Sequence, residues 1–185
     1  MRIVVAMALA MFAVPVGAAE VLDNVESPVY EADGTHQQIT QRAEACASRV
    51  LRFDAVTGKD ATASVMSPGV ASASTATQQV DGGKIVEHAD IETGLVVANQ
   101  RTATGGVLSG GDVLQSTVTV EARDGRFRIT HTNISRMAKS TGYMENPGFT
   151  PVYIQAFSGA EKVRKQLLGV SDKLAECITK PAEDW

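Results

Sequence analysis

Residues 115–133 read QSTVTVEARDGRFRITHTN, two alternating runs on either side of Asp124-Gly125. Asp-Gly supplies the positive φ angles of a two-residue type I′ turn, a strong short-range hairpin signal. Such a turn fixes the register. Arg123 falls opposite Arg126 beside the turn, then Ala122 opposite Phe127, Val120 opposite Ile129 and Val118 opposite His131. Side chains alternate with period two, so the apolar pairs share one face. The other face pairs Glu121 with Arg128, Thr119 with Thr130 and Thr117 with Thr132, contacts worth about 0.2–1 kcal/mol each. A slip of one residue would put Phe127 and Ile129 in water, so the pattern itself holds the register.

A less regular hairpin precedes this one. Residues 85–90 and 95–101 flank Ile91-Glu92-Thr93-Gly94, and a Gly-rich stretch, 102–113, joins the two hairpins. Residues 21–30 read as a first short strand.

Two helical patterns flank the strands. Thr35 and Gln38 form a capping box, and Ile39, Ala43, Cys46 and Val50 then recur at helical spacing, with the helix ending near Phe53. Ser158 and Glu161 form a second S-x-x-E box before Val163, Leu167, Val170, Leu174 and Cys177, and Pro181 stops that helix. Both apolar stripes must bury against the single apolar sheet face. Helices side by side lie about 8–10 Å apart. Cys46 and Cys177 can then reach the Cα separation of about 4.4–6.8 Å that a disulfide needs.

The remaining segments are irregular. Residues 57–83 are rich in Ala, Ser, Thr and Gly, contain Pro68, and read as a loop insert with at most a weak strand at 61–66. Residues 135–157 carry Pro147 and Pro151 together with Tyr143, Phe149, Tyr153 and Phe157, and read as a loop over the edge of the core. Residues 181–185 read as a flexible tail.

With 185 residues, 20–180 is long enough for one domain with a substantial core. The net charge is −4 and aromatics make up 5%, which argues against a nucleic-acid surface of basic and stacking side chains. Residues 1–19 have the three parts of a signal peptide: Arg2, an apolar run, and Gly17-Ala18-Ala19 before Glu20. The apolar run is short for a membrane span. No cysteine follows the small residues to carry a lipid. A periplasmic or secreted mature chain is expected, with no stable membrane insertion after cleavage. Two cysteines in an exported chain suit one disulfide.

Catalytic patterns are sparse. Gly106-Val107-Leu108-Ser109-Gly110 is not a G-x-S-x-G elbow and lacks the Gly-Lys-Ser/Thr ending of a phosphate loop. His88 and Asp90 share a strand face, with Glu92 near, and would form a metal site with His131 if their strands abut. His131 continues the apolar face of Val118 and Val120, where a histidine reads first as a hydrogen-bonded residue at the edge of the core. No catalytic residue and no cofactor is expected. The polar sheet face, Thr119, Glu121, Arg128 and Thr130, and the loop aromatics Tyr143, Phe149 and Tyr153 are the candidate interaction surface.

The run IVEHADIETGLVV at 85–97, then VTVEARDGRFR at 118–128, resembles a family of exported bacterial proteins. That family is described only as a domain of unknown function with a TATA-binding-protein-like (TBP-like) fold. The motif is a D-x-E-T-G turn followed by an x-D-G-R-(F/Y)-R hairpin. The likeness covers residues 27–177, and departs in the absence of a tryptophan from the first helix and in the 57–83 insert. The resemblance implies a TBP-like or helix-grip-like arrangement and brings no catalytic residues. The fold's namesake binds DNA, which an acidic exported chain does not inherit.

The expected fold is α+β, an antiparallel sheet of four or five strands with two helices on one face. The expected role is a non-enzymatic binding module of the cell envelope, its partner an envelope protein or a small ligand. The alternatives are a small-molecule carrier with a pocket between sheet and helices, and a metal-dependent hydrolase using His88, Asp90 and His131.

Overall fold

The structure, a computed structural model, describes residues 19–62, 74–103, 111–141, 145–155 and 158–180, with backbone alone at 59–62 and 74–76. The expected signal peptide (but for Ala19), Tyr143, Phe157 and the tail 181–185 lie outside the described residues.

The central hairpin is β7 (Asp112–Arg123) and β8 (Arg126–Ala138). Its register runs Arg123↔Arg126, Ala122↔Phe127, Val120↔Ile129, Val118↔His131 and Thr117↔Thr132, as the Asp124-Gly125 turn dictates. β6 (Leu95–Ala103) pairs with β7, and β5 (Val86–Asp90) pairs with β6. On the far side of β8 lie β1 (Asn24–Glu26), β2 (Tyr30–Glu31) and β9 (Thr150–Pro151). Among the described residues the sheet is antiparallel and seven-stranded, its main path β1-β8-β7-β6-β5, so it exceeds the expected size by short strands at one edge.

Beyond Gln115 the register shifts by one residue, with Asn133 in the left-handed region at φ 51°. This bulge inserts an extra residue into β8 and reverses its alternation. Ile134 thereby joins the face of Ile129 and His131, and packs with Leu114.

α1 (His36–Val50) and α2 (Ala160–Thr179) cover the apolar face. At α1 the capping box is complete: Gln38 N donates to Thr35 Oγ1 at 3.4 Å and Thr35 N donates to Gln38 Oε1 at 3.1 Å. Ile39, Ala43 and Cys46 are buried as the spacing required, against Val96, Ala98, Val118, Val120, Phe127 and Ile129. The far half of α2 completes that cluster through Leu174, Ala175 and Ile178. Its near half, Val163 and Leu167, packs on Leu22, Val25, Leu114, Ile134 and Val152. Full burial of one such aliphatic or phenyl side chain contributes about 1.5–3 kcal/mol. Tyr30 stacks on Phe127, ring centroids 5.3 Å apart, and donates to Asp172 Oδ1 on α2 at 2.8 Å.

Four sequence expectations need correction. The strand at 21–30 is broken into β1 and β2, because Pro28 cannot donate to a ladder. The second capping box is not formed. α2 starts one residue late, on Gly159 in the left-handed conformation, and Ser158 Oγ accepts from Ala160 N at 3.2 Å. Glu161 is then one place short of the reciprocating position. β8 and β9 occupy part of 135–157, which read as loop.

The fourth concerns the loop expected at 57–83, whose described residues include two strands: β3 (Val56–Thr62) and β4 (Ser74–Val80) form an antiparallel ribbon separate from the main sheet. Thr57, Thr77, Gln78 and Gln79 are exposed, so the ribbon needs no apolar alternation at these positions. Its neck is fixed by buried Arg101 of β6. Arg101 Nη1 donates to the carbonyls of Asp81 at 2.7 Å and Asp54 at 2.9 Å, and Nε donates to Gln115 Oε1 at 2.8 Å. The guanidinium lies over Phe53, 4.3 Å from the ring centre. Gly82 is required here, because a Cβ would collide with Phe53 O.

A buried polar chain crosses the core. Gln100 Nε2 donates to Ser116 Oγ at 3.0 Å, Ser116 Oγ lies 3.1 Å from His131 Nδ1, and His131 Nε2 lies 2.9 Å from Ser171 Oγ, which donates to Leu167 O at 3.3 Å. One proton assignment satisfies every member: Ser116 donates to Nδ1 and the Nε2–H donates to Ser171. This requires a neutral imidazole. Burial pulls its pKa down from 6.5 to about 4.

The disulfide expected between the helices is present. Cys46 and Cys177 are bonded with their Cα atoms 5.9 Å apart and 131 residues apart in sequence. Constraint of an unfolded loop of that size stabilises the fold by about 5 kcal/mol as an upper figure. Titration of denatured, unreduced protein should therefore find no free thiol at either position, and reduction should lower the melting temperature sharply. Two reactive thiols per chain would refute the bond.

The histidine chain makes a separate prediction. The unfolded state takes up a proton below roughly pH 6.5, while the folded state resists it until about pH 4. Stability is thus full above the unfolded value and falls on acidification, by about 2 kcal/mol between roughly pH 7 and pH 5. Urea midpoints across that range should drop more steeply for wild type than for His131→Gln. Equal slopes would show that His131 is not held neutral.

Candidate functional site

The helices cover one face of the sheet and leave the other open on β6, β7 and β8 toward the Asp124-Gly125 turn, while at the far end of that face Arg101, Val113 and Met137 are buried. Because paired residues share a face, the register sets out its rows: Glu121 beside Arg128, Thr119 beside Thr130, Thr117 beside Thr132, with Leu95, Val97 and Asn99 continuing them on β6. The threonines and these β6 residues are half-buried, whereas Glu121 and Arg128 are exposed. The candidate residues Thr119, Thr130, Glu121 and Arg128 are thus adjacent.

Their expected ion pair is not the one formed. Arg128 Nη1 turns away from Glu121 to Glu26 Oε2 on β1, at 3.4 Å, with both side chains about half exposed at 46% and 51%. Such an exposed pair contributes under about 1 kcal/mol. Asn133 Nδ2 donates to Thr117 Oγ1 at 3.2 Å. Near the turn, Val29, Glu121, Arg123, Arg126, Phe127 and Arg128 border a depression of about 250 Å³.

The aromatic candidates do not join this patch. Phe149 lies at the opposite end of β7, its ring centre 5.4 Å from the Arg101 guanidinium, beside the ribbon neck. Tyr153 is exposed at the sheet margin, where its backbone bridges to Val21. Tyr143 is outside the described residues.

The candidate metal residues are dispersed. β5 and β8 are separated by β6 and β7, so His88 and His131 stand three strand spacings apart, about 14 Å. His88 is exposed, whereas His131 is sealed beneath α2. The Thr93 hydroxyl and N–H, with the Glu92 N–H, hold the Asp90 carboxyl below its ordinary range, so Asp90 serves its own turn. Among the described residues no three His, Cys, Asp or Glu side chains are grouped to hold a metal ion. His131 does have a serine on each side, but complete burial denies a substrate access to any of the three.

The expected space between sheet and helices is packed with Phe127, Ile129, Leu174 and Ile178. The larger grooves lie outside it, one of about 530 Å³ along Gln38, Gln41, Arg42, Ala45 and Arg49, another of about 540 Å³ between α1 and β5. Among the described residues no helix is long and apolar enough to cross a membrane.

No family model matches the chain, and no curated protein matches it. Among solved structures it is similar to a DUF4468 family protein from Bacteroides ovatus, with 13% identity, 90% of this chain and 93% of that one covered, and a TM-score of 0.49. It is also similar to a TBP-like protein from Parabacteroides distasonis, with 10% identity, 82% and 91% covered, and a TM-score of 0.43. A domain of unknown function and a TBP-like protein are the descriptions that the sequence resemblance implied. The α+β class, with two helices on one face of an antiparallel sheet, stands on the architecture itself.

Proposed function

We propose that this chain is an exported, non-enzymatic binding module of the cell envelope that engages its partner through the open sheet face. The carrying observation is the contiguous patch of Thr119, Thr130, Glu121 and Arg128, which neither α1 nor α2 covers. Side chains there present hydroxyls and both charges on paired strands, while among the described residues the only ion pair of Arg128 is the exposed one to Glu26. The tripartite residues 1–19 support export, as does the Cys46–Cys177 bond, since disulfides persist in oxidising compartments. The non-enzymatic reading rests on the dispersal of His88, Asp90 and His131. An envelope protein fits the patch better than a small ligand, because the depression beside Glu121 and Arg128, about 250 Å³, is smaller than the roughly 300–1,000 Å³ of small-molecule pockets. Nucleic acid is disfavoured by the net charge of −4.

The test compares variants in a pull-down from envelope extract. Thr119→Arg with Thr130→Arg should weaken capture of the wild-type partner by about tenfold or more, the effect of losing roughly 1.4 kcal/mol. Glu121→Thr with Arg128→Thr should change folding stability by under about 1 kcal/mol while also reducing capture. A partner that binds both doubly substituted proteins normally would remove the open face as the site.

A further inference from the structure

The sheet has a second surface that the open-face reading does not use. β5 is the last strand of the main path, and among the described residues no strand pairs with its outer edge. An unpaired edge offers backbone N–H and C=O groups to another extended chain. α1 runs alongside and turns this edge into a groove of about 540 Å³, lined by Glu44 and Ser48 on the helix and by Gly83, Lys84, Ile85, Val86, Glu87, His88 and Ala89 on the strand side.

The opposite edge of the sheet is protected. β1 is three residues long, β2 is two, and Pro28 lies between them. β5 carries no proline. At its bulge between Val86 and His88, the Glu87 carbonyl accepts from Lys84 Nζ at 3.5 Å, the outer limit of a hydrogen bond. Ile85, Val86 and Ala89 are partly buried apolar residues at the groove, packed against the core on one side. The helix wall is acidic: Glu44 is exposed there, with Lys84 on the strand side, while the Glu87 carboxylate accepts from Asn99 Nδ2 at 2.6 Å on the open face of the sheet.

We propose that this groove binds an extended peptide segment of a partner protein by strand addition to β5. Main-chain hydrogen bonds to the edge supply affinity without regard to sequence, and alternate side chains supply selectivity. The apolar floor takes one apolar side chain at every second position. Glu44 selects a lysine or arginine on the same segment.

The test selects phage-displayed random dodecapeptides on the oxidised full chain. Enriched peptides should alternate apolar residues and carry a basic side chain. Their binding should weaken by about tenfold in Glu44→Lys and in Ala89→Pro. Thr119→Arg on the open face should leave it unchanged, which keeps this site separable from the first. Amide hydrogen exchange at 86–89 should slow when a selected peptide is added. Glu44→Lys changes one exposed helix residue, so the test stands even if Ala89→Pro fails to fold. The proposal is overturned if selection enriches no peptide, or if the enriched peptides bind Glu44→Lys as tightly as wild type and leave exchange at 86–89 unaltered.

Discussion

The structure depends on the turn at Asp124-Gly125. Its two residues set the register of β7 against β8, and the register decides which side chains face the helices. The same turn then starts α1. Asp124 Oδ1 accepts from the His36 backbone N–H at 2.7 Å and lies 3.1 Å from His36 Nδ1, contacts that hold the Asp124 carboxyl below its ordinary range. A carboxylate at a helix N-terminus meets free N–H groups and the positive end of the helix dipole. Gly125 N donates to Gly34 O, and Ala32 N donates to Gly125 O, both at 3.1 Å. One tight turn therefore orients the sheet and places the helix that covers it.

A continuous polar line, Gln100, Ser116, His131 and Ser171, runs through the apolar burial on that face. A polar group left unpaired in such a place costs about 1–3 kcal/mol, so a complete chain is tolerated where a broken one would not be. The line also fixes how α2 rotates, because Ser171 must meet Nε2. Hydrophobic packing alone tolerates small rotations of a helix, and a directed hydrogen bond does not.

What could be read from the sequence was local. The β7–β8 register and the α1 cap involve neighbours in the chain, and both appear as written. The patch of Thr119, Glu121, Arg128 and Thr130 followed from the register. The partner of Arg128 did not, because Glu26 is 102 residues away. The burial of Arg101 did not either, because the carbonyls of Asp54 and Asp81 come from distant segments to surround it. Ser116 and Gln100 could have been noticed as polar residues at core positions of an apolar alternation, in line with Val118 and Ala98. The β3–β4 ribbon left no such trace, since it adds no strand to the main sheet.

Strand order also governs when the molecule can form. β1, near the start of the described chain, pairs with β8, whose residues come more than a hundred positions later: Val25 lies opposite His131. The bond from Cys46 to Cys177 closes a separate span of 131 residues. Long-range pairings must close their loops before they gain anything, and this slows folding. A chain emerging residue by residue can make α1 and the β5–β6 hairpin early, but it cannot bury α1 until β7 and β8 exist. Assembly is thereby postponed until nearly the whole chain is available.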